Sequence, residues 1–124
     1  MNRDSTSIEQ AIADARAGRI GVAEMLPLLL DGDLVVPSGG EVRDDGQGFQ
    51  PVLFDREGVP MIAAFTTLDR VGETAKLAPF ALSIKGRAFL ALVPADHGVV
   101  INPGWPEGFE IDPAGLRRLI ADAA

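Results

Sequence analysis

The sequence predicts an α+β or α/β domain, with a mixed sheet of about four to six strands flanked by helices in a single compact unit. Short apolar or β-branched runs bounded by turn residues, such as residues 99–101, are typical of strands. Apolar residues recur at helical spacing near both ends of the chain. A length of 124 residues suits one domain with a sizeable core, so residues 1–124 are assigned to one domain.

Composition and charge exclude several kinds of site and partner. The chain has no cysteine, which excludes disulfides and thiol chemistry and suits the reducing cytoplasm. Its formal charge of −7 repels phosphate backbones, so we expect no nucleic-acid partner. Apolar runs such as residues 25–30 are too short to cross a bilayer, and the first residues lack the apolar segment of a secretory signal. We therefore expect a cytoplasmic protein without membrane contact and without a cofactor.

The first segment predicts a helix on the outside of the domain. Ser7 and Gln10 fit a capping box, and Thr6 with Glu9 offers a competing frame. Gly18 is well placed just after the end of this helix. The apolar side is a narrow stripe at i, i+3, i+4 and i+7 spacing, formed by Ile8, Ala11, Ile12 and Ala15.

Residues 22–30 predict a second, more deeply buried helix. Pro27 either kinks this helix, the interpretation that we favour, or lies in the first turn of a helix that begins near Leu26. Residues 34–37 predict a short strand stopped by its final proline. Residues 38–48 are rich in Gly, Asp and Glu without periodicity, which predicts a solvated loop.

Residues 50–54 and 59–66 predict a β-hairpin, with Gly58 available for a left-handed turn position. Residues 61–65 are apolar without alternation, so we expect this second strand to be central and covered on both faces. Thr67 follows the strand directly, and a hydroxyl at that point predicts the N-cap of a short helix.

The last third of the chain contains two ambiguous runs and one clear helix. Residues 78–84 fit either helix or strand, and residues 85–93 are assigned to helix over strand for their Ala and Leu content. Residues 109–111 predict a last short strand. Asp112 as N-cap and Pro113 at the first position then predict a helix. Its apolar stripe is formed by Leu116, Leu119, Ile120 and Ala123.

The turn after residues 99–101 presents the single tryptophan of the chain. Asn102, Pro103 and Gly104 suit the first three positions of a β-turn, with Gly104 at positive φ. Trp105 then belongs either to the core, the interpretation that we favour, or to an aromatic pair with Phe109 that faces a partner. For Trp105 we hypothesise a mixed role, with one ring face packed on the domain and the other exposed beside Asn102.

Three polar residues follow strands that we expect to be central: Thr66, Thr67 and Asn102. Capping and turn formation explain all three without a ligand, and we favour that explanation. If the two strands are parallel, the three residues share the sheet edge at which open α/β sheets usually bind ligands.

No catalytic or metal site is predicted. His97, the only histidine, lies beside Asp96 in a turn, without a nucleophile assigned to it. The acidic pairs at residues 31–33 and 44–45 lack the spacing of a calcium loop and predict solvated turns. The glycines of the 38–48 loop lack the Gly-Lys-Ser/Thr of a phosphate-binding loop.

Taken in order, these segments resemble the N-terminal domain of the SseB family, named for enhanced serine sensitivity. Members typically show a V-x-V-P-like strand, a strand end like x-x-F-T-S, and an L-N-P-G turn before a terminal helix. The chain departs in having Thr67 where Ser is commoner and Ile101 where Leu is commoner, which keeps a hydroxyl and an apolar side chain. The matching stretches are Leu34-Val35-Val36-Pro37, Ala64-Phe65-Thr66-Thr67 and Ile101-Asn102-Pro103-Gly104.

A larger departure from the family would be the lack of the second domain that some members carry. The resemblance implies a small α/β domain of no established enzymatic activity, with an interaction or regulatory role. We therefore expect a non-enzymatic protein-interaction or regulatory domain with a protein partner, whose functional surface lies around Asn102, Pro103, Gly104 and Trp105. The first alternative is a small-molecule binding module at the edge formed by Thr66, Thr67 and Asn102. The second alternative is an uncharacterised hydrolase-like enzyme. The partner and the oligomeric state are not specified by the sequence.

Overall fold

The computed structural model describes residues 3–45, 47–105 and 108–123, and it confirms a mixed α and β domain. No helix in these ranges is long and apolar enough to cross a membrane. The elements in chain order are α1 (Arg3–Arg16), α2 (Val22–Asp31), β1 (Asp33–Ser38), β2 (Leu53–Arg56), β3 (Val59–Ala64), α3 (Leu68–Val71), a 3-10 turn (Gly72–Lys76), β4 (Phe80–Lys85), α4 (Gly86–Ala91), β5 (Gly98–Ile101), β6 (Phe109–Ile111) and α5 (Pro113–Ala123).

The six described strands form the expected mixed sheet, with four strands, and a second sheet of two strands that was not expected. The larger sheet has the order β2-β3-β5-β6, in which β3 and β5 are parallel and both outer pairs are antiparallel. The smaller sheet is the antiparallel pair of β1 and β4. Val35 and Phe65 exchange two backbone hydrogen bonds of 2.8 Å and so join the two sheets.

The central strand β3 is covered on both faces, as its uniformly apolar sequence predicts. On one face, Ile62 and Ala64 belong to the main core, to which α1, α2, α4 and α5 contribute. The opposite face belongs to a second, smaller core formed by Met61, Ala63, Phe65, Val71 and Val100. β3 is therefore a rigid base for the residues that follow it.

The start of α1 differs from the prediction. The helix begins at Arg3, so Ser7 and Thr6 lie inside it, and both capping frames are wrong. No glycine or proline between Arg3 and Arg16 interrupts the backbone hydrogen bonds, so the helix extends beyond the apolar stripe. The stripe itself is confirmed, and Gly18 follows the helix at a φ of +80°.

The second helix is continuous from Val22 to Asp31 with Pro27 inside it, so a start near Leu26 is wrong. β1 extends one residue beyond Pro37, where a stop was expected. Ser38 is included because it still pairs with Phe80 of β4. Its hydroxyl donates to Gly40 O (2.6 Å) and accepts from the backbone N–H of Gln50 (3.0 Å).

The predicted hairpin is confirmed, with β2 starting at Leu53 instead of residue 50. Its two-residue turn has Glu57 at a φ of 53° and Gly58 at 89°. Two consecutive positive φ values are typical of the type I′ turn, whose twist matches that of paired strands.

The ambiguous runs resolve into strand β4 and helix α4, which confirms the helical assignment of the second. β6 has the predicted bounds, and α5 begins at Pro113 as expected. Asp112 caps α5 through a hydrogen bond of 2.7 Å that its Oδ1 accepts from the backbone N–H of Gly115.

Candidate functional site

The parallel pairing of β3 and β5 brings the predicted polar residues together at their carboxyl ends. Thr66 donates its backbone N–H to Asn102 Oδ1 (2.9 Å), and Asn102 Nδ2 donates to Thr66 Oγ1 (3.1 Å). The backbone N–H of Asn102 donates to Ala64 O (2.8 Å). Both side chains are buried, and these bonds satisfy them within the protein. The pair closes this end of the sheet without requiring a ligand.

The predicted turn after β5 is confirmed. Trp105 donates its backbone N–H to Asn102 O (3.1 Å), and Gly104 has a φ of +86°. Asn102 itself has a φ of +51°, which the sequence did not predict. Asparagine tolerates this left-handed conformation better than most residues, because its short side chain bonds locally. The turn is therefore fixed at both of its ends.

Thr67 is the N-cap of α3, as predicted. Its Oγ1 accepts a hydrogen bond of 3.3 Å from the backbone N–H of Arg70. The cap fixes the short helix directly after β3, and so it places the side chain of Arg70 beside the end of the sheet.

Glu9 of α1 connects Arg70 to the buried polar pair. Its Oε2 accepts hydrogen bonds from Thr66 Oγ1 (2.6 Å) and from Arg70 Nε. Burial of Glu9 acts to raise the pKa of its carboxyl group. The hydrogen bonds from Arg70 and Thr66, together with the positive charge of Arg70, outweigh burial and lower that pKa. Glu9 is therefore an anion at neutral pH, and it binds Thr66 and Arg70, which are both distant from it in sequence.

Trp105 is 43% exposed, so its assignment to the core is wrong. Its Nε1 donates to the backbone carbonyl of Arg70 (2.7 Å), and Cζ of Arg70 lies 4.7 Å from the ring centroid. The turn carries the indole beyond the end of the sheet, where this carbonyl satisfies its N–H. Phe109, by contrast, is half-buried and packs on the main core. Arg70, Pro103, Gly104 and Trp105 together are called the Trp105 surface below.

Two adjoining concavities lie beside this surface. The smaller, of about 400 Å³, is lined by Asn102 and Trp105 among others. The larger, of about 740 Å³, is an apolar groove. Thr66 and Thr67 line neither of them. The two share Arg16, Arg56, Phe109 and Glu110, so the groove is continuous with the cleft at Trp105. The apolar groove is defined here by Ile12, Met25, Leu26, Val59, Phe109 and Leu119.

Charged side chains surround the groove. Arg56 donates from Nε to Glu110 Oε1 (2.9 Å) and from Nη2 to Glu110 Oε2, which links the two outer strands of the larger sheet. Arg16 donates from Nη1 to Gly108 O (2.8 Å). Glu57 and Asp112 also line the groove, and neither forms an ion pair within the part of the chain described.

The other polar residues singled out in the sequence lie elsewhere. His97 Nδ1 is 2.7 Å from Asp96 Oδ1 in an exposed turn, and the hydrogen bond from His97 lowers the pKa of Asp96. Asp31 pairs with Arg87 and Asp33 with Lys85, which ties α2 and β1 to α4 and β4. Over residues 3–45, 47–105 and 108–123, no group of three or more acidic or histidine side chains could hold a metal ion.

Two functional features were missed by the sequence interpretation. The Glu9–Arg70 pair joins residues 61 positions apart, and no local pattern marks such a pair. The groove forms where α1, α2, α5 and the larger sheet meet, so it depends on tertiary packing. The apolar stripes of α1 and α5 were the available signal, because Ile12, Ala15 and Leu119 of these stripes line the groove.

A protein-family model described as SseB protein N-terminal domain matches residues 8–118. The match extends from α1 into α5 and includes Glu9, Arg70 and Trp105. Neither a curated protein nor a solved structure matches the chain.

Proposed function

For this chain, which belongs to the SseB N-terminal domain family, we propose the function of a non-enzymatic protein-interaction domain that binds its partner through the Trp105 surface. The observation that carries the proposal is the partly exposed indole held from two sides, by a hydrogen bond and by a stacked guanidinium. We also propose that the interaction takes place in the cytoplasm, because a protein without cysteine has no disulfide that reducing conditions would break.

The rigidity of Trp105 favours binding. Tryptophan and arginine are enriched among the residues that contribute most to protein–protein affinity. A side chain that is already fixed loses little conformational freedom on association, which reduces the entropic cost of binding. The hydrogen bond to Arg70 O and the contact with the Arg70 guanidinium fix the ring before any partner arrives. Trp105 is thus a preorganised anchor with part of its area still open.

The two alternatives have weaker support. A small-molecule site at the strand ends would use the polar atoms of Thr66, Thr67 and Asn102, but these atoms serve the buried pair and the cap of α3. A hydrolase would need a base oriented toward a nucleophile. The imidazole of His97 is bonded instead to its neighbour Asp96 in an exposed turn.

Affinity capture with matched baits tests the proposal. Wild-type protein, Trp105→Ala and Leu77→Ala are immobilised and exposed to native lysate, and captured proteins are identified by mass spectrometry. Leu77 is an apolar residue that is 68% exposed and lines neither of the two concavities, so it controls for general loss of apolar area. We expect at least one protein to be captured by wild type and Leu77→Ala but not by Trp105→Ala. Identical capture by all three baits would reject the Trp105 surface as the binding site.

A further inference from the structure

We propose that the apolar groove beside the Trp105 surface binds an amphipathic, positively charged segment of the partner protein. This inference rests on the proposed function and adds the chemical character of the partner. The groove and the cleft at Trp105 share Arg16, Arg56, Phe109 and Glu110, so one occupant reaches both without a break in contact.

The groove supplies apolar contact area of the kind that a partner segment needs. Leu26, Phe109 and Leu119 are only half-buried although they belong to the rim of the main core. Its volume of about 740 Å³ lies within the range of sites that enclose ligand groups. Met25 and Met61 also line it, and methionine adapts readily to different apolar shapes. Apolar side chains spaced along a peptide would therefore find partners here.

The charges around the groove favour a partner segment with positive charge. Three carboxylates line it against two guanidinium groups, and Glu110 already neutralises Arg56. Glu57 and Asp112 have no ion-pair partner among the residues described, and the whole chain carries a formal charge of −7. Lysine or arginine residues flanking the apolar side chains would be attracted, and acidic residues repelled. A second copy of this chain would bring the same negative charge and is disfavoured for that reason.

Binding of synthetic peptides to the full chain tests the inference. The probe is a fluorescein-labelled peptide with leucine at helical spacing and lysine at the other positions. The matched probe has glutamate in place of every lysine. Fluorescence anisotropy gives the Kd, and we expect the leucine–lysine peptide to bind at least about tenfold more tightly than the leucine–glutamate peptide.

Two pairs of variants locate the binding site. Leu119→Ser should weaken binding of the leucine–lysine peptide about tenfold, whereas Leu77→Ser, outside the groove, should leave it unchanged. The second pair does not alter the core. Glu57→Gln combined with Asp112→Asn removes two groove charges and keeps a capping side chain on α5. Glu41→Gln combined with Asp44→Asn removes two charges from the exposed loop. Only the groove pair should weaken binding, by roughly threefold or more.

Each alternative result overturns the inference. Equal binding of both peptides would reject charge selection, and equal effects of the two charge variants would reject the groove as the site. Absence of binding to either peptide would reject the amphipathic partner. The capture experiment tests the proposed function separately. If Trp105→Ala alone fails to capture a natural partner, the proposed function stands even when the peptides give one of these negative results.

Discussion

Trp105 takes its hydrogen bond and its stacking partner from the same residue. Its Nε1 donates to the backbone carbonyl of Arg70, and its ring faces the guanidinium of that residue. Arg70 is in turn held by Glu9 and by the cap on Thr67. The position of the indole therefore depends on the turn after β5, on α3 and on α1 together.

The fluorescence of Trp105 tests this geometry directly, because the chain has one tryptophan and no tyrosine. With 43% of the residue exposed and one face against Arg70, we expect acrylamide to quench the indole to an intermediate degree, between free tryptophan amide and a buried indole. Complete shielding from acrylamide would contradict the exposed part of the ring.

Replacement of Trp105 separates a binding anchor from a core residue. Truncation of a fully buried aromatic side chain costs about 3–5 kcal/mol. Because Trp105 keeps much of its area in solvent, we expect Trp105→Ala to lower the free energy of unfolding by only about 1–2 kcal/mol, measured by urea denaturation. Phe89→Ala, at a fully buried position, is the control and should cost more than twice as much. If Trp105→Ala and Phe89→Ala lower the free energy of unfolding by comparable amounts, Trp105 acts as a core residue.

Loss of the Glu9 charge should increase the mobility of the Trp105 indole through Arg70, which contacts both residues. Glu9→Gln removes the ion pair with Arg70, and we expect a loss of about 1–2 kcal/mol of stability at pH 7 and stronger quenching of Trp105 by acrylamide. Glu41→Gln, in the exposed loop, should change neither quantity. Unchanged quenching in Glu9→Gln would show that Arg70 does not need Glu9 to hold the ring.

The same carboxylate predicts the pH dependence of stability. The pKa of Glu9 is lower in the folded protein than in the unfolded chain, where the pKa of glutamate is about 4.3. The stabilisation by Glu9 is therefore complete above that pH and is lost as the pH falls through the lower pKa of the folded state. We expect the difference in unfolding free energy between wild type and Glu9→Gln to be constant above pH ~5 and to shrink below pH ~4. A difference that grows on acidification would contradict the direction of the shift.

The cap of α3 contributes a measurable part of the stability. Thr67→Ala removes the oxygen that accepts from the backbone N–H of Arg70, and we expect a loss of about 1 kcal/mol by chemical denaturation. Thr67→Ser retains the hydroxyl and should stay within a few tenths of a kcal/mol of wild type. If alanine and serine behave alike, the hydroxyl does not act as a cap.

The turn after β5 requires a residue at positive φ. A Cβ on Gly104 would meet no atom within 4 Å, so the cost of Gly104→Ala comes from its φ of +86° alone. We expect a loss of about 1–2 kcal/mol in the free energy of unfolding. Gly104→Asn should cost less, because asparagine tolerates the left-handed region. Equal losses for alanine and asparagine would contradict backbone strain as the cause.

The sequence predicted those features that local chemistry determines. Thr67 and Asp112 were identified as caps because a hydroxyl or carboxylate at a helix start satisfies backbone N–H groups nearby. The turn at Gly104 was predicted on the same kind of argument. Each of these features depends on residues within three positions of one another, so the pattern is visible in the sequence.

Features that depend on distant residues were not predicted. The indole N–H of Trp105 donates to a carbonyl on α3, 35 positions away, and the division of the strands into two sheets is set by β1 pairing with β4. An apolar residue is usually buried, and that tendency wrongly favoured the core for Trp105. The hypothesis of a mixed role, with part of the ring exposed, agrees with the exposed fraction of 43%. The start of α1 was misplaced because polar residues extend a helix as well as cap it.

The link between Glu9 and the Trp105 surface has a consequence for biosynthesis. Glu9 leaves the ribosome 96 residues before Trp105, which at about 5–20 residues per second is a delay of roughly 5–20 s. Until residues 98–102 have emerged, β3 lacks its parallel neighbour β5, and Thr66 lacks the Asn102 side chain to which it bonds. A nascent chain that does not yet include Trp105 has no assembled Trp105 surface. Binding of the proposed partner through that surface therefore requires a chain that has been synthesised at least as far as Trp105.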